Sequence, residues 1–137
     1  MTDPITIEKK ELGINEISTP ALAYLGDCVL ELLVRRHLVL SGIGTAKNLN
    51  KTALEYVCAP AQAEAVKNIL PLLTEEEEGY FRRGRNIGHT NTPRNATVAQ
   101  YRAATGMEAL FGYLHLTGQT ERMEELFSKA YALQKRQ

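Results

Sequence analysis

The sequence predicts an all-α fold. Three observations carry this: apolar residues recur at helical spacing through almost every segment, no run alternates as a half-buried strand would, and helix start and stop signals follow one another at short intervals. At 137 residues the chain suits a single domain with enough length to bury a real core. We expect one compact domain over residues 1–137, with an N-terminal tail up to about residue 17 and about six to seven helices.

The elements follow in order. Ser18-Thr19-Pro20 supplies an N-cap and an early proline, opening a helix that runs to about Leu40, where Ser41-Gly42 stops it. Thr45 to Ala59 and Pro60 to about Leu73 form the next two, divided at Pro60. Thr74 to Glu77 reads as a capping box, and the acids Glu75–Glu78 complement the positive end of the helix dipole there, so they need no catalytic role. That helix carries Tyr80, Phe81 and the first arginines and ends near Gly84 to Asn86. A polar stretch, IGHTNTPRN, forms a loop from Ile87 to Asn95. A long helix then spans about Ala96 to Thr117, Gly118 closes it, and a last helix starts at Glu121.

Composition bounds the function classes. Hydrophobic residues make 44% and charged residues 23% of the chain, an ordinary globular balance. There is no apolar run of membrane-spanning length, and MTDPITIEKK lacks the layout of a secretory signal, so we expect a cytoplasmic protein with no membrane partner. Cys28 and Cys58 form no Cys-x-x-Cys pair and fall on apolar helical faces, which suits reduced, buried thiols. His37, His89 and His115 show no zinc-ligand spacing, so a metal bound here would be held by oxygen.

Formal net charge is zero, yet the charges are unevenly spread. From Gly79 to Met107 there is no acid, while Arg82, Arg83, Arg85, Arg94 and Arg102 fall inside that interval. Screening limits distant carboxylates to a reach of about 8–10 Å, so such a stripe can bind phosphate on a neutral chain. Scattered solubilising arginines would give the same composition.

The carboxylates are equally informative. Asp3 and Asp27 are the only aspartates among the 16 acidic residues, and Asp27 lies within PALAYLGDCVLELL, where a glycine beside an acid is out of place in a core helix. Glycine costs about 0.8–1 kcal/mol relative to alanine there, and an unpaired buried carboxylate costs more. Glu31 shares that side but sits one turn before Arg35, an ordinary helical ion pair. ATGMEALFGYLHL repeats the anomaly: Glu108 stands in an apolar helix with Gly106 and Gly112 beside it. Packed together, the two helices would bring Asp27 and Glu108 to one hard cation, completed by water as magnesium prefers. Pairing of each acid with arginine is the structural alternative. The arginine stripe favours the metal reading, because phosphate binding together with a divalent ion points to phosphodiester chemistry.

LAYLGDCVLE, from Leu22 to Glu31, resembles the signature helix of ribonuclease III. Together with EEEEGYFRRGRN, the TNTPRN loop, YRAATGMEALFGYLHL and ERMEEL, it resembles the Mini-III ribonucleases, the short branch without a double-stranded-RNA-binding domain. The resemblance implies a helical endonuclease domain that acts as a homodimer on double-stranded RNA with magnesium, manganese being a possible substitute. It also implies maturation of the ends of the 23S ribosomal RNA precursor. By position, Asp27 matches the signature aspartate and Glu108 the C-terminal catalytic glutamate, which makes both catalytic and metal-binding. Pro20, Ala23 and Thr105 stand where ribonuclease III itself carries further acids, a loss the Mini-III branch shares. A catalytically silent RNA-binding or ribosome-assembly module on the same fold is the alternative those losses suggest.

With no appended domain expected, the catalytic domain has to grip RNA itself. A-form duplexes are bound mainly through phosphates and 2′-hydroxyls, and the loop region offers suitable donors in Arg83, Arg85, Asn86, His89, Thr90, Arg94 and Asn95. The resemblance makes this loop the RNA-binding insertion. The apolar face around Tyr24, Cys28 and Leu32 is either intramolecular core or a contact surface between copies.

Overall fold

The protein is described from a computed structural model, which defines residues 11–87 and 96–133. Six α-helices and two short 3₁₀ turns make up the described residues, with no strand among them. The helices are α1 (Thr19–Leu40), α2 (Ala46–Val57), α3 (Ala59–Ile69), α4 (Glu75–Arg85), α5 (Val98–Leu116) and α6 (Thr120–Ala130). The 3₁₀ turns, Ile14–Glu16 and Leu70–Leu72, lie in the expected tail and at the end of the third expected helix.

Local chemistry explains the boundaries. Ser18 caps α1, its hydroxyl accepting from the Ala21 amide at 3.2 Å. Gly42 leaves α1 at φ +93°, and Gly118 leaves α5 at φ +70°, conformations that cost other residues strain. At the start of α4 both capping-box bonds form: the Thr74 amide donates to Glu77 Oε1 at 2.9 Å, and the Glu77 amide donates to Thr74 Oγ1 at 3.2 Å. Glu77 does more than cap. Its carboxylate is buried and takes two bonds from the Arg122 guanidinium, at 2.8 and 2.9 Å, tying α4 to α6.

α5 is the central helix. Met107, Leu110, Phe111 and Leu114 are fully buried, with Val34 of α1 and Leu126 of α6 in the same core. Glycines set how closely α1 and α4 approach it. A Cβ on Gly26 would collide with the Glu108 carbonyl oxygen, and one on Gly112 with the Leu22 carbonyl oxygen. Residues 22 and 26 thus lie against 112 and 108, so α1 and α5 run antiparallel with their backbones touching. On the other side Phe81 packs on Gly106, and the Tyr80 and Tyr113 rings stack with centroids 3.9 Å apart.

Two expectations are corrected or resolved here. Cys28 and Cys58 are exposed rather than buried, because one lies on the outer face of α1 and the other is the residue before α3. Tyr24, 86% exposed, and Leu32, 65% exposed, lie on that outer face too, so it is not intramolecular core. Glu31 pairs with Arg35 at 2.7 Å as its spacing predicts. No described helix is long and apolar enough to cross a membrane.

Candidate active site

Gly26 explains its neighbour. Because α1 presses its backbone onto α5 at Glu108, the adjacent Asp27 is delivered to the rim of a cleft that Glu108 also lines. The cleft has a volume of about 360 Å³ and is closed by Val57 at the end of α2, by Cys58, Ala59, Pro60 and Gln62 at the start of α3, and by Ala96, Tyr101 and Ala104 of the α5 region. Two acids separated by 81 positions in the chain (108 − 27) therefore meet at one place.

Their electrostatics are those of a crowded pair. Glu108 is held well above the usual carboxylate range, at about 8, first because it is largely withdrawn from water, then because of the Asp27 charge and a hydrogen bond to the Asp27 carboxyl. Asp27 is exposed. Among the described residues no lysine, arginine or histidine lines the cleft to neutralise the pair. The arginine-paired alternative is thus excluded for both acids among these residues.

That donor set suits a divalent ion. Two hard carboxylate oxygens at a water-accessible cleft leave room for water and substrate oxygens, the arrangement in which magnesium is usually held. No group of three or more His, Cys, Asp or Glu that could hold a metal ion occurs among the described residues, so what these residues offer a cation in the cleft is the Asp27–Glu108 pair. Thr105, one turn before Glu108, is buried with its hydroxyl donating to the Tyr101 carbonyl at 3.0 Å. Ala23 is buried and Pro20 sits in the first turn of α1.

The expected RNA contacts divide. Arg83, Arg85 and Asn86 are exposed at the C-terminal end of α4. Arg83 lies over the Tyr80 ring at 4.2 Å, and Arg85 Nε donates to Asn86 Oδ1 at 3.4 Å. Among the described residues no glutamate pairs with them. His89, Thr90, Arg94 and Asn95 lie outside the described residues. The chain re-enters the described part at Ala96, which lines the acidic cleft with Asp27 and Glu108. His115 is exposed and does not line the cleft.

Reasoning from sequence missed the α3 wall. One signal was available: Gln62 stands in register with Ala65, Val66 and Ile69 on the buried face of α3, a polar residue where the spacing calls for an apolar one.

Comparisons with known proteins identify the family. The Ribonuclease III domain family matches residues 20–119. A Mini-ribonuclease 3 of Symbiobacterium thermophilum is 44% identical over 118 residues, 85% of this chain and 91% of that protein. One of Streptococcus pneumoniae is 43% identical over 119 residues, 85% and 93% of the two chains. A crystal structure of a Fusobacterium nucleatum protein superposes with a TM-score of 0.75 at 32% identity, covering 84% of this chain and 92% of that one. The chain belongs to the ribonuclease III family, within its Mini-ribonuclease 3 branch, and is an endoribonuclease.

Proposed function

We propose that this endoribonuclease hydrolyses phosphodiester bonds of double-stranded RNA at the Asp27–Glu108 pair. The observation that carries the reading is the meeting of these two carboxylates, uncompensated by any cation of the described residues, in one open cleft. Asp27 and Glu108 would hold a divalent ion, magnesium or manganese, whose chemistry when bound is Lewis-acid polarisation of phosphoryl oxygens and acidification of water. Glu108 has to give up its proton to act as a ligand, and Asp27, exposed at the rim, is the first carboxylate a cation meets. The exposed end of α4 and the α4–α5 connection supply the phosphate contacts, with Arg83, Arg85, Asn86, His89, Thr90, Arg94 and Asn95 as the donor set.

The exposed face of Tyr24, Cys28 and Leu32 supports a homodimer, because large apolar side chains left in water on one helix favour association. Two copies would set two clefts on one duplex. We take this as a single-domain enzyme over residues 1–137, working in the cytoplasm, with precursor ribosomal RNA as its substrate.

The test is cleavage of a structured ribosomal precursor RNA with magnesium and then with chelator. Metal-dependent cuts are expected, lost in Asp27→Asn while RNA binding persists. Binding without cleavage in the unsubstituted protein would favour the silent RNA-binding module, and full activity of Asp27→Asn would remove Asp27 as a ligand.

A further inference from the structure

The Asp27–Glu108 cleft has a second wall whose chemistry the two acids do not use. α3 is an 11-residue helix that begins at the cleft, with Cys58, Ala59 and Pro60 lining it. Its first turn is uncapped: Cys58 offers no side-chain acceptor, and the first intrahelical bond of this end is Gln62 N–H to the Cys58 carbonyl at 3.0 Å. Pro60 has no N–H, so the Ala59 and Ala61 amides are the free donors there, at the positive end of the helix dipole.

A side chain independent of the helix end points to a ligand in the same place. Gln62 is only 5% exposed, lines the cleft, and its carboxamide forms no hydrogen bond with any described residue. A buried amide without partners is costly and rare in native proteins, so it marks a position where something else supplies the partner.

We propose that the first turn of α3, together with the Gln62 carboxamide, seats a backbone phosphodiester of the RNA beside Asp27 and Glu108. The phosphate is the chemistry that fits. Among the described residues the cleft has no cationic side chain, and the donors they offer an anion there are neutral, the first-turn amides of α3 and the Gln62 NH₂. A phosphate suits the site better than a base edge, because duplex RNA is bound mostly through its phosphates and 2′-hydroxyls. Burial also holds Gln62 in place, since it lies on the buried face of α3 with Ala65 and Val66, and among the described residues its carboxamide has no partner to turn to. Gln62 is on this account a substrate-positioning residue, and the proposal rests on the cleft being where cleavage occurs.

The experiment uses the full chain in EDTA, so that it reads binding alone. A short duplex RNA is prepared unmodified and with a neutral methylphosphonate at the linkage that the magnesium-loaded enzyme cuts. The unsubstituted protein should bind the modified duplex about tenfold more weakly, the size expected for hydrogen bonds to a charged group. Gln62→Leu should bind the unmodified duplex more weakly and lose most of that discrimination, with Gln62→Asn intermediate. Equal affinity of Gln62→Leu for the unmodified duplex, with discrimination unchanged, would overturn the proposal. A second readout needs no substitution: backbone amide resonances of Ala59 and Ala61 should shift downfield and saturate as the duplex is added. Amides that stay still would overturn it whether or not the variants fold. Should Asp27→Asn still cleave while these amides respond, the metal assignment falls and the phosphate seat stands; metal-dependent cleavage with silent amides gives the reverse.

Discussion

Gly26 and the carbonyl oxygen of Glu108 occupy the same small space, so that no side chain can be built at residue 26 without displacing the backbone of α5. This contact is what brings Asp27 to the cleft. Gly26→Ala should therefore lower stability by about 2–4 kcal/mol or prevent folding, since backbone cannot yield as a flexible side chain does. Gly79→Ala is the control, because the nearest atom to its new Cβ would be the Arg83 guanidinium end at 3.9 Å. There we expect a gain of up to about 1 kcal/mol from helix propensity, read by urea denaturation of both variants.

Glu108 carries a proton up to about pH 8 in the metal-free protein. Its folded-state pKa lies above the ordinary value of 4.5, so its contribution to stability is complete below that value and is lost as pH rises from there through about 8. Glu108→Gln should erase this part of the pH dependence, leaving the metal-free variant more stable than the parent at alkaline pH, as unfolding in EDTA across the range will show. Cleavage should behave in the opposite sense. At limiting magnesium the rate should rise as pH passes about 8, and saturating magnesium should move the rise to lower pH, because the cation competes with the proton.

The Glu77–Arg122 clamp joins two helices that have little direct packing of their own, α4 lying on α5 and α6 on α3 and α5. Arg122 Nη2 also donates to the Leu72 carbonyl at 2.8 Å, so the guanidinium secures the turn before α4 as well. Glu77→Ala removes a capping partner and leaves that guanidinium without its main acceptor, at an expected cost of about 2–4 kcal/mol. Glu75→Ala, on the exposed side of the same turn, should cost under about 0.5 kcal/mol. The guanidinium bonds hold the Glu77 carboxyl below the usual range, so the clamp stabilises above that range and weakens as pH falls through the lowered value. Acid denaturation of the Glu77→Ala variant should accordingly be shallower.

Tyr24 and Leu32 are exposed on the side of α1 away from α5. Substituting both by glutamate should leave helix content unchanged and convert a dimer to a monomer in sedimentation equilibrium. An unchanged mass for the double variant, or a monomeric parent, would place any assembly surface elsewhere.

Arg85, the last residue of α4, and Arg94, which lies outside the described residues, are two of the expected phosphate donors. Replacing both by alanine should weaken duplex RNA binding across sequences and flatten its dependence on salt by roughly one unit of slope per lost phosphate contact. An unchanged slope would move the RNA surface to another face.

Much of this was legible along the chain. Caps at Ser18 and Thr74, the stops at Gly42 and Gly118 and the helical spacing between them depend on neighbours a few residues apart, so the all-α architecture follows from local chemistry. The two acids were conspicuous for a local reason too: each breaks an apolar helix. The thiols misled because a periodic pattern marks an apolar face without saying whether protein or water covers it, and Cys28 shares its face with the exposed Tyr24 and Leu32.

Tertiary structure alone decided which of those anomalies belong together. Asp27 meets Glu108 because Gly26 and Gly112, 86 positions apart in the chain (112 − 26), let two helices touch backbone to backbone, a long-range fit that no short window of sequence encodes. The same packing carries the start of α3 to the acidic pair and withdraws Gln62 from water beside it, turning an unremarked polar residue into part of the cleft. It raises the Glu108 pKa as well, since desolvation and the nearness of a second carboxylate exist only once the helices have closed. Residue types set what chemistry was available; burial and proximity, which are properties of the folded chain, selected the part of it that forms a site.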